Sequence, residues 1–275
     1  MRIALINSGL GLLAAAAAIH RMRPDADLVL APDPDGMPWG PRTPDDIAER
    51  ALKCARATLS YQPDVLIMAC NTGSVHALDA LRAEFEPAIP VVGTVPAIKP
   101  AAARHHNVAI WATVATTASA YQRRLIAEFG GTAEVTPVAC PGLADAVDAG
   151  DQAAVAAAVA AGAARTPAGC EAVVLGCTEY ELAADQISQA VPGAVTFGSA
   201  AAVAAQAVRR TSPASYQAAP GRPGTVRVLL SGRPAGLPPA ALRYPEGRLL
   251  APLVIAGGDQ QAPAAAAGRQ LSSAQ

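Results

Sequence analysis

The sequence predicts an α/β protein of two pseudo-symmetric, three-layer halves with parallel sheets and a site in the cleft between them. Three observations carry this. Apolar runs at 65–69 (Val-Leu-Ile-Met-Ala) and 172–176 (Ala-Val-Val-Leu-Gly) show no alternation, as strands buried on both faces do. Ala-rich stretches of helical length separate such runs. Ser8 precedes Cys70 by 62 residues and Thr113 precedes Cys177 by 64, each at the end of an apolar run, which reads as an internal duplication.

Taken in order, a strand is expected over 2–6, then a Gly-containing turn and a helix over 11–22. A strand follows at 27–31 and a Pro-, Asp- and Gly-rich loop from 31 to 42. Thr43-Pro44-Asp45-Asp46 is a helix start: a capping hydroxyl, Pro in the first turn, and acids at the positive end of the dipole. That helix is expected to reach 62. The strand over 64–69 ends at Cys70, and a helix covers 73–85.

The second half is read as a short strand at 90–93, a helix over 95–105 and a strand over 108–111 ending at Ala112-Thr113. Then come a helix over 116–129, a strand over 133–138, helices over 142–164 and the strand over 172–176 that delivers Cys177. Residues 198–210 read as a helix crossing back to the first half, 212–224 as a loop, and 225–231 as a late edge strand. The expected division is 1–92 plus about 206–250 for the first domain and 93–205 for the second. Residues 251–275 are expected to form a disordered tail, poor in residues to bury from about 257.

Composition excludes several functions. A net charge of −1 without a basic patch disfavours nucleic acid and anionic membrane as partners. Five cysteines at irregular spacing are not a disulfide framework, which suits a reducing cytoplasm. The Ala-rich run at 14–18 is broken from the first strand by Asn7-Ser8-Gly9 and Gly11 and followed by His20, Arg21 and Arg23. It therefore reads as neither a signal peptide nor a membrane helix.

Cys70 and Cys177 carry the chemistry. Carboxyl ends of strands are where open α/β sheets bind ligands. Two thiols so placed, one per half, can face one ligand from opposite sides and move protons. A following helix N-terminus favours a thiolate at each. Thr72 and Thr178 follow and can bind a carboxylate through hydroxyl and backbone N–H. Cys54, Cys140 and Cys170 are read as small core residues. His20, His76, His105 and His106 have no ligand spacing with the cysteines, so no metal is expected. His76 is read as a solvated helix residue. Lys53 and Lys99 are the only lysines and neither ends a strand, which argues against pyridoxal phosphate. No GxGxxG follows the first strand. No cofactor is expected.

These stretches resemble the aspartate/glutamate racemase superfamily, and glutamate racemases most. The likeness lies in Asn7-Ser8-Gly9-Leu10-Gly11, Pro38-Trp39-Gly40, Ala69-Cys70-Asn71-Thr72, Pro90-Val91-Val92-Gly93, Thr113-Val114-Ala115-Thr116, Ala139-Cys140-Pro141 and Gly176-Cys177-Thr178-Glu179-Tyr180. With the late strand at 225–231 it spans about residues 2–245. It implies a cofactor-independent two-base reaction, one thiolate removing the Cα proton while the other thiol delivers a proton to the opposite face. By motif position it implies that Ser8, Asn71, Thr72, Thr113, Thr116 and Thr178 hold an amino-acid substrate and that Pro38, Trp39 and Gly40 line its pocket.

Three positions depart from the family pattern. Asn7 replaces an Asp that assists the first thiol, Glu179 replaces a His beside the second, and Trp39 replaces a pocket Tyr. Asn7 cannot accept a proton. Glu179 can, but its charge would raise the Cys177 pKa unless it is protonated. A Glu there also resembles the aspartate-racemase branch. Asp148 falls where the family has an acid supporting the His.

The resemblance thus implies racemisation of an acidic amino acid, glutamate before aspartate, supplying D-glutamate for peptidoglycan, with a homodimer as one possible assembly. The alternatives are an aspartate or hydantoin racemase, or an amino-acid-binding homologue with impaired turnover. Retention of both thiols argues against the decarboxylase branch, which tends to keep one.

Overall fold

The computed structural model describes residues 1–211 and 222–255. The first sheet contains β1 (Arg2–Asn7), β2 (Asp27–Pro32), β3 (Val65–Met68) and β4 (Val91–Gly93). The second contains β5 (Asn107–Ala112), β6 (Glu134–Ala139), β7 (Ala172–Leu175) and β8 (Val195–Phe197). Within the first sheet these four run β2-β1-β3-β4, and the second sheet runs β6-β5-β7-β8, each of these runs parallel. The two orders are the same strand for strand, so the duplicated spacing in the sequence is a duplicated topology. Cys70 follows β3 and Cys177 follows β7, equivalent strands of the two sheets.

The helices are α1 (Leu12–Met22), α2 (Pro44–Thr58), α3 (Asn71–His76), α4 (Leu78–Phe85), α5 (Ile98–Ala102), α6 (Val114–Ala118), α7 (Ala120–Phe129), α8 (Leu143–Ala149), α9 (Gln152–Arg165), α10 (Ala184–Ala190) and α11 (Ala200–Arg210). Alternate residues of each central strand feed different layers. Leu5 and Ile67 of the first sheet and Trp111 and Leu175 of the second enter one continuous core that also takes α1 and α11. Ala4, Ile6, Leu66 and Met68 face α2 and α4. Val108, Ile110 and Val174 face α5 and α7. The inner core therefore joins the two halves behind the site.

Several expectations need correction. The strand at 91–93 pairs with β3 and belongs to the first sheet, not the second half. The helix read over 95–105 is only α5. Pro96 disfavours helical backbone at Val95, and a start at Ile98 leaves Pro100 in the first turn, where its missing N–H is not needed. The helix read over 116–129 is two. Ser119 has extended ψ and its Oγ accepts from the Gln122 backbone N–H at 3.1 Å, starting α7 afresh. The helix over 73–85 begins earlier, at Asn71, and divides at Ala77. The helix after Thr43 ends at Thr58 and continues as a 3-10 turn to Tyr61.

After α11 the chain returns to the first sheet. β9 (Val226–Leu230) pairs parallel with β2, and β10 (Arg233–Ala235) pairs antiparallel with β9. The late strand is thus flanked on both sides and β10 is the edge. α12 (Pro245–Leu250) follows. The disordered tail expected from 251 is contradicted over 251–255, where Val254 bridges Val226 and the Ile255 N–H donates to the Val226 carbonyl at 3.0 Å. Most of the loop read at 212–224 (212–221) and the remainder of the tail (256–275) lie outside the described residues. Among the described residues no helix is long and apolar enough to cross a membrane.

Candidate active site

The carboxyl ends of β1, β3 and β7 converge. Asn7 is the last residue of β1 and is fully buried. Its Nδ2 donates to the Ala69 carbonyl at 2.6 Å and to Thr178 Oγ1 at 3.2 Å. Its Oδ1 accepts from the Gly9 N–H and from Ser8 Oγ, both at 3.2 Å. One amide thus ties the first turn to both thiol-bearing segments, and the fixed backbone partners on each side set its orientation. Asn71 makes the second tie: its Nδ2 donates to the Gly176 carbonyl at 2.7 Å. Asn71 Oδ1 is buried and has no partner.

Cys70 caps α3 and is buried, with the Gly73 N–H on its Sγ at 3.4 Å and Ser8 Oγ at 4.0 Å. Both contacts favour a thiolate, yet burial outweighs them. Together with the charge of Glu179 it pushes the Cys70 thiol up to about 12. Cys177 is partly exposed and donates from Sγ to Glu179 Oε2 at 2.9 Å. Burial, then Glu179, then Cys70 hold its pKa well above the ordinary thiol value. The expectation of helix-lowered thiol pKa values is therefore overturned at both positions. At Cys177 the following element is a six-residue 3-10 turn, Thr178–Ala183, with a weaker dipole than an α-helix.

Glu179 is buried and its charge acts on both thiols. Its Oε2 also accepts from Thr178 Oγ1 at 3.3 Å. The Thr178 hydroxyl is therefore occupied within the protein, accepting from Asn7 and donating to Glu179, which leaves its backbone rather than its hydroxyl for a ligand. Gly11 makes this packing feasible. A Cβ there would fall 2.4 Å from Thr178 Oγ1 and 2.7 Å from Glu179 Oε1.

Across the cleft, Thr113 Oγ1 donates to Thr116 Oγ1 at 3.0 Å and also accepts from the Thr116 N–H at 3.3 Å, capping α6. Gly40 faces this segment, with the Ala115 Cβ 4.0 Å from the position its own Cβ would take. Pro38 is exposed, Thr72 partly exposed. Trp39 is 1% exposed and packs in the core with Cys70, its Nε1 donating to Asp33 Oδ2 at 3.1 Å. Its ring lies behind α3, 3.0 Å from where a Cβ on Gly73 would be. Trp39 thus supports the wall carrying Cys70.

Sequence reading missed the anchors under these groups. Asp33 is buried and also accepts from Arg50 Nη1 at 3.2 Å and from Ser231 Oγ at 2.8 Å, fixing the 33–40 loop from beneath. Tyr180 Oη donates to the Cys140 carbonyl at 3.1 Å and holds the turn after Cys177. Neither partner is near in sequence, so no local pattern marks them. Cys54, Cys140 and Cys170 are buried as expected and His76 is exposed. A cavity of about 150 Å³ lies at the amino ends of β5 and β6, lined by Asn107, Glu134, Thr136 and Cys170 among others, and contains none of the expected site residues.

The arrangement can present two thiols to one bound molecule, with a carboxyl beside one and backbone donors around both. Residues 7–207 match the sequence profile of the Asp/Glu/Hydantoin racemase family. The chain is 33% identical to a glutamate racemase of Pseudomonas putida over 86% of this chain and 90% of that one. It is 34% identical to a glutamate racemase of Herpetosiphon aurantiacus over 85% and 93%. Among solved structures, it superposes on Escherichia coli glutamate racemase in complex with L-glutamate and the activator UDP-MurNAc-Ala. That match has a TM-score of 0.74 and 27% identity, over 88% of this chain and 91% of that one.

Proposed function

The chain belongs to the Asp/Glu/Hydantoin racemase family, and from that membership we propose that it interconverts the enantiomers of an acidic amino acid, glutamate foremost, using Cys70 and Cys177 as two opposed bases. It is an amino-acid racemase, an isomerase. The observation that carries the two-base reading is the equivalence of the thiols, each ending the third strand of its half, with Asn71 and Asn7 bonding the two strand ends together. The catalytic halves are taken as 1–92 with about 206–250, and 93–205.

In this reading one thiol gives up its proton and the resulting thiolate takes the substrate Cα proton, while the other thiol protonates the opposite face. The Cα–H is a very weak acid, so the carbanion needs oriented donors and exclusion of water. Asn71 Oδ1, buried without a partner, is an acceptor available to the substrate ammonium. In this reading Ser8, Thr72, Thr113, Thr116 and the Thr178 backbone N–H hold the rest of the substrate, and Pro38 and Gly40 line its pocket. Glu179 Oε2, already on the Cys177 thiol, is the group placed to receive that thiol's proton. Asn7 positions both segments and moves no proton. D-glutamate made this way would serve peptidoglycan synthesis in the cytoplasm.

Aspartate is the second reading, favoured by Glu179 in place of a His. Polarimetry of purified protein with L-Glu, D-Glu, L-Asp and D-Asp separates the two. Loss of optical rotation with the glutamate pair is the expected result. Loss only with the aspartate pair reassigns the substrate, and no loss with either contradicts racemisation of acidic amino acids.

A further inference from the structure

Ser231 and Gly232 alone separate the antiparallel strands β9 and β10, and both have positive φ, +47° and +84°. A two-residue hairpin loop with positive φ at both positions is a type I′ turn, for which Gly, Asn and Asp are the favoured residues. Serine carries a steric cost there that glycine would not. Ser231 is nevertheless buried, 3% exposed, and its side chain meets the loop that leads to Trp39. Its Oγ donates to Asp33 Oδ1 at 2.8 Å and accepts from the Asp35 N–H at 3.1 Å, while its own N–H donates to the Pro32 carbonyl at 2.8 Å. A strained residue persists where its surroundings hold it, and such residues cluster at working sites.

We propose that Ser231 is a positioning residue for the reaction: its hydroxyl sets the 33–40 loop and, through Asp33 and Trp39, the wall behind Cys70. The proposal rests on the reading of Cys70 as one of the two bases. The path from hydroxyl to thiol is short. Asp33 is buried with both carboxyl oxygens engaged. Oδ1 takes the Ser231 hydroxyl, and Oδ2 takes Trp39 Nε1 at 3.1 Å and Arg50 Nη1 at 3.2 Å. The Asp33 N–H donates to the carbonyls of Asn7 and Ser8 at 3.0 and 3.2 Å, at the end of β1. Trp39 packs in one core with Cys70 and stands behind Gly73, whose N–H lies on Cys70 Sγ. Without the hydroxyl, Oδ1 loses its hydrogen bond and the carboxyl is free to turn about a soft torsion. The indole then loses a fixed acceptor, and the loop loses its tie at Asp35 as well. Ser231 is neutral, so its effect reaches Cys70 as displacement and not as charge. The hairpin that carries it lies beyond residues 7–207, the stretch that matches the family profile, and returns to the site only because β9 pairs with β2.

The test compares the wild type with Ser231→Gly and Ser231→Ala. Both variants lose the hydroxyl, but Gly suits the turn and Ala keeps its strain. Tm should therefore be several degrees lower in Ser231→Ala than in Ser231→Gly. Activity should not follow that order. With the glutamate and aspartate enantiomers assayed well below either Tm, kcat should fall about tenfold or more in both variants, by the same factor. Wild-type kcat in Ser231→Gly overturns the proposal whatever Ser231→Ala does, because residue 231 would then serve only the turn. The rate of Cys70 alkylation by iodoacetamide, read from the mass of its peptide, is a second readout that needs no turnover. It should rise in both variants as the packing behind Cys70 loosens, and an unchanged rate in both overturns the proposal. A wild type inactive on all four enantiomers would remove the racemase reading, and the alkylation rates would still decide the role of Ser231.

Discussion

Asn71 Nδ2 donates to the Gly176 carbonyl over 2.7 Å, joining the residue after one strand-end thiol to the residue before the other. This bond is internal and buried, so it fixes the relation of β3 to β7 at the point where the two thiols emerge. Replacing Asn71 with Ala strands the Gly176 carbonyl in a dry site, at a cost of about 1–3 kcal/mol. Thermal unfolding should show a Tm lower by several degrees, and KM should rise more than stability alone explains, since the free Oδ1 is lost as well. An unchanged KM would remove Asn71 from the substrate contacts.

Asn7→Asp restores the family residue, and sequence alone cannot say whether the rate would gain. The structure decides it. Asn7 Nδ2 donates to the Ala69 carbonyl at 2.6 Å and to Thr178 Oγ1. A carboxylate would set oxygen against oxygen at the first contact. The expected outcome is a loss of about 1–3 kcal/mol in stability and no gain in kcat. A large gain in kcat from this variant would show that the amide is a decayed catalytic group.

Gly11→Ala tests the packing of the first turn on the second thiol motif. The added methyl meets Thr178 Oγ1 at 2.4 Å, Glu179 Oε1 at 2.7 Å and Asn7 Nδ2 at 2.8 Å. Any relief moves the groups around Cys177. Overpacking of this kind costs about 1–3 kcal/mol, and kcat should fall by at least about tenfold if the site opens by an ångström. Full activity in Gly11→Ala would mean that this contact is not part of the working geometry.

The thiols set the pH behaviour. Cys70 ionises at about 12 in the fold against a reference of 9.0, raised by burial and then by Glu179. Because the folded value is raised, this contribution to stability is intact below pH 9 and is lost as pH climbs towards 12. Cys54 and Cys140, each pushed up to about 12 by burial, act in the same direction. Denaturant unfolding should therefore show falling stability across that window, and Cys70→Ser should flatten the fall. For activity, kcat/KM should rise with pH from neutrality into the alkaline range as a thiolate becomes accessible. A profile that falls through that range contradicts a thiol base.

Much of this was legible in the sequence. Unalternating runs such as Val65–Met68 mark strands buried on both faces, and the repeated spacing of strand-end residues marks the duplication. Thr43 caps α2 through Asp46 as its pattern implies. The three-residue strand β8 escaped because it is short and half-exposed. The break at Ser119 had a readable cap signal, Ser followed three residues later by Gln. At the site, motif order named the thiols and their neighbours. The ionisation of those thiols was misread, because a helix N-terminus is visible in sequence and burial is not. The ties from Asn7 to Thr178 and from Asp33 to Ser231 span long stretches of chain, and only the fold brings them together.

If two thiols work on opposite faces of one substrate, Cα exchange in D2O followed by NMR reports both of them at once. Wild type, Cys70→Ser and Cys177→Ser would each be given L-Glu and D-Glu separately. Deuterium should enter with inversion from either enantiomer in the wild type, and racemisation should be lost in both variants. Full racemisation by either Cys70→Ser or Cys177→Ser would rule out the two-thiol reading.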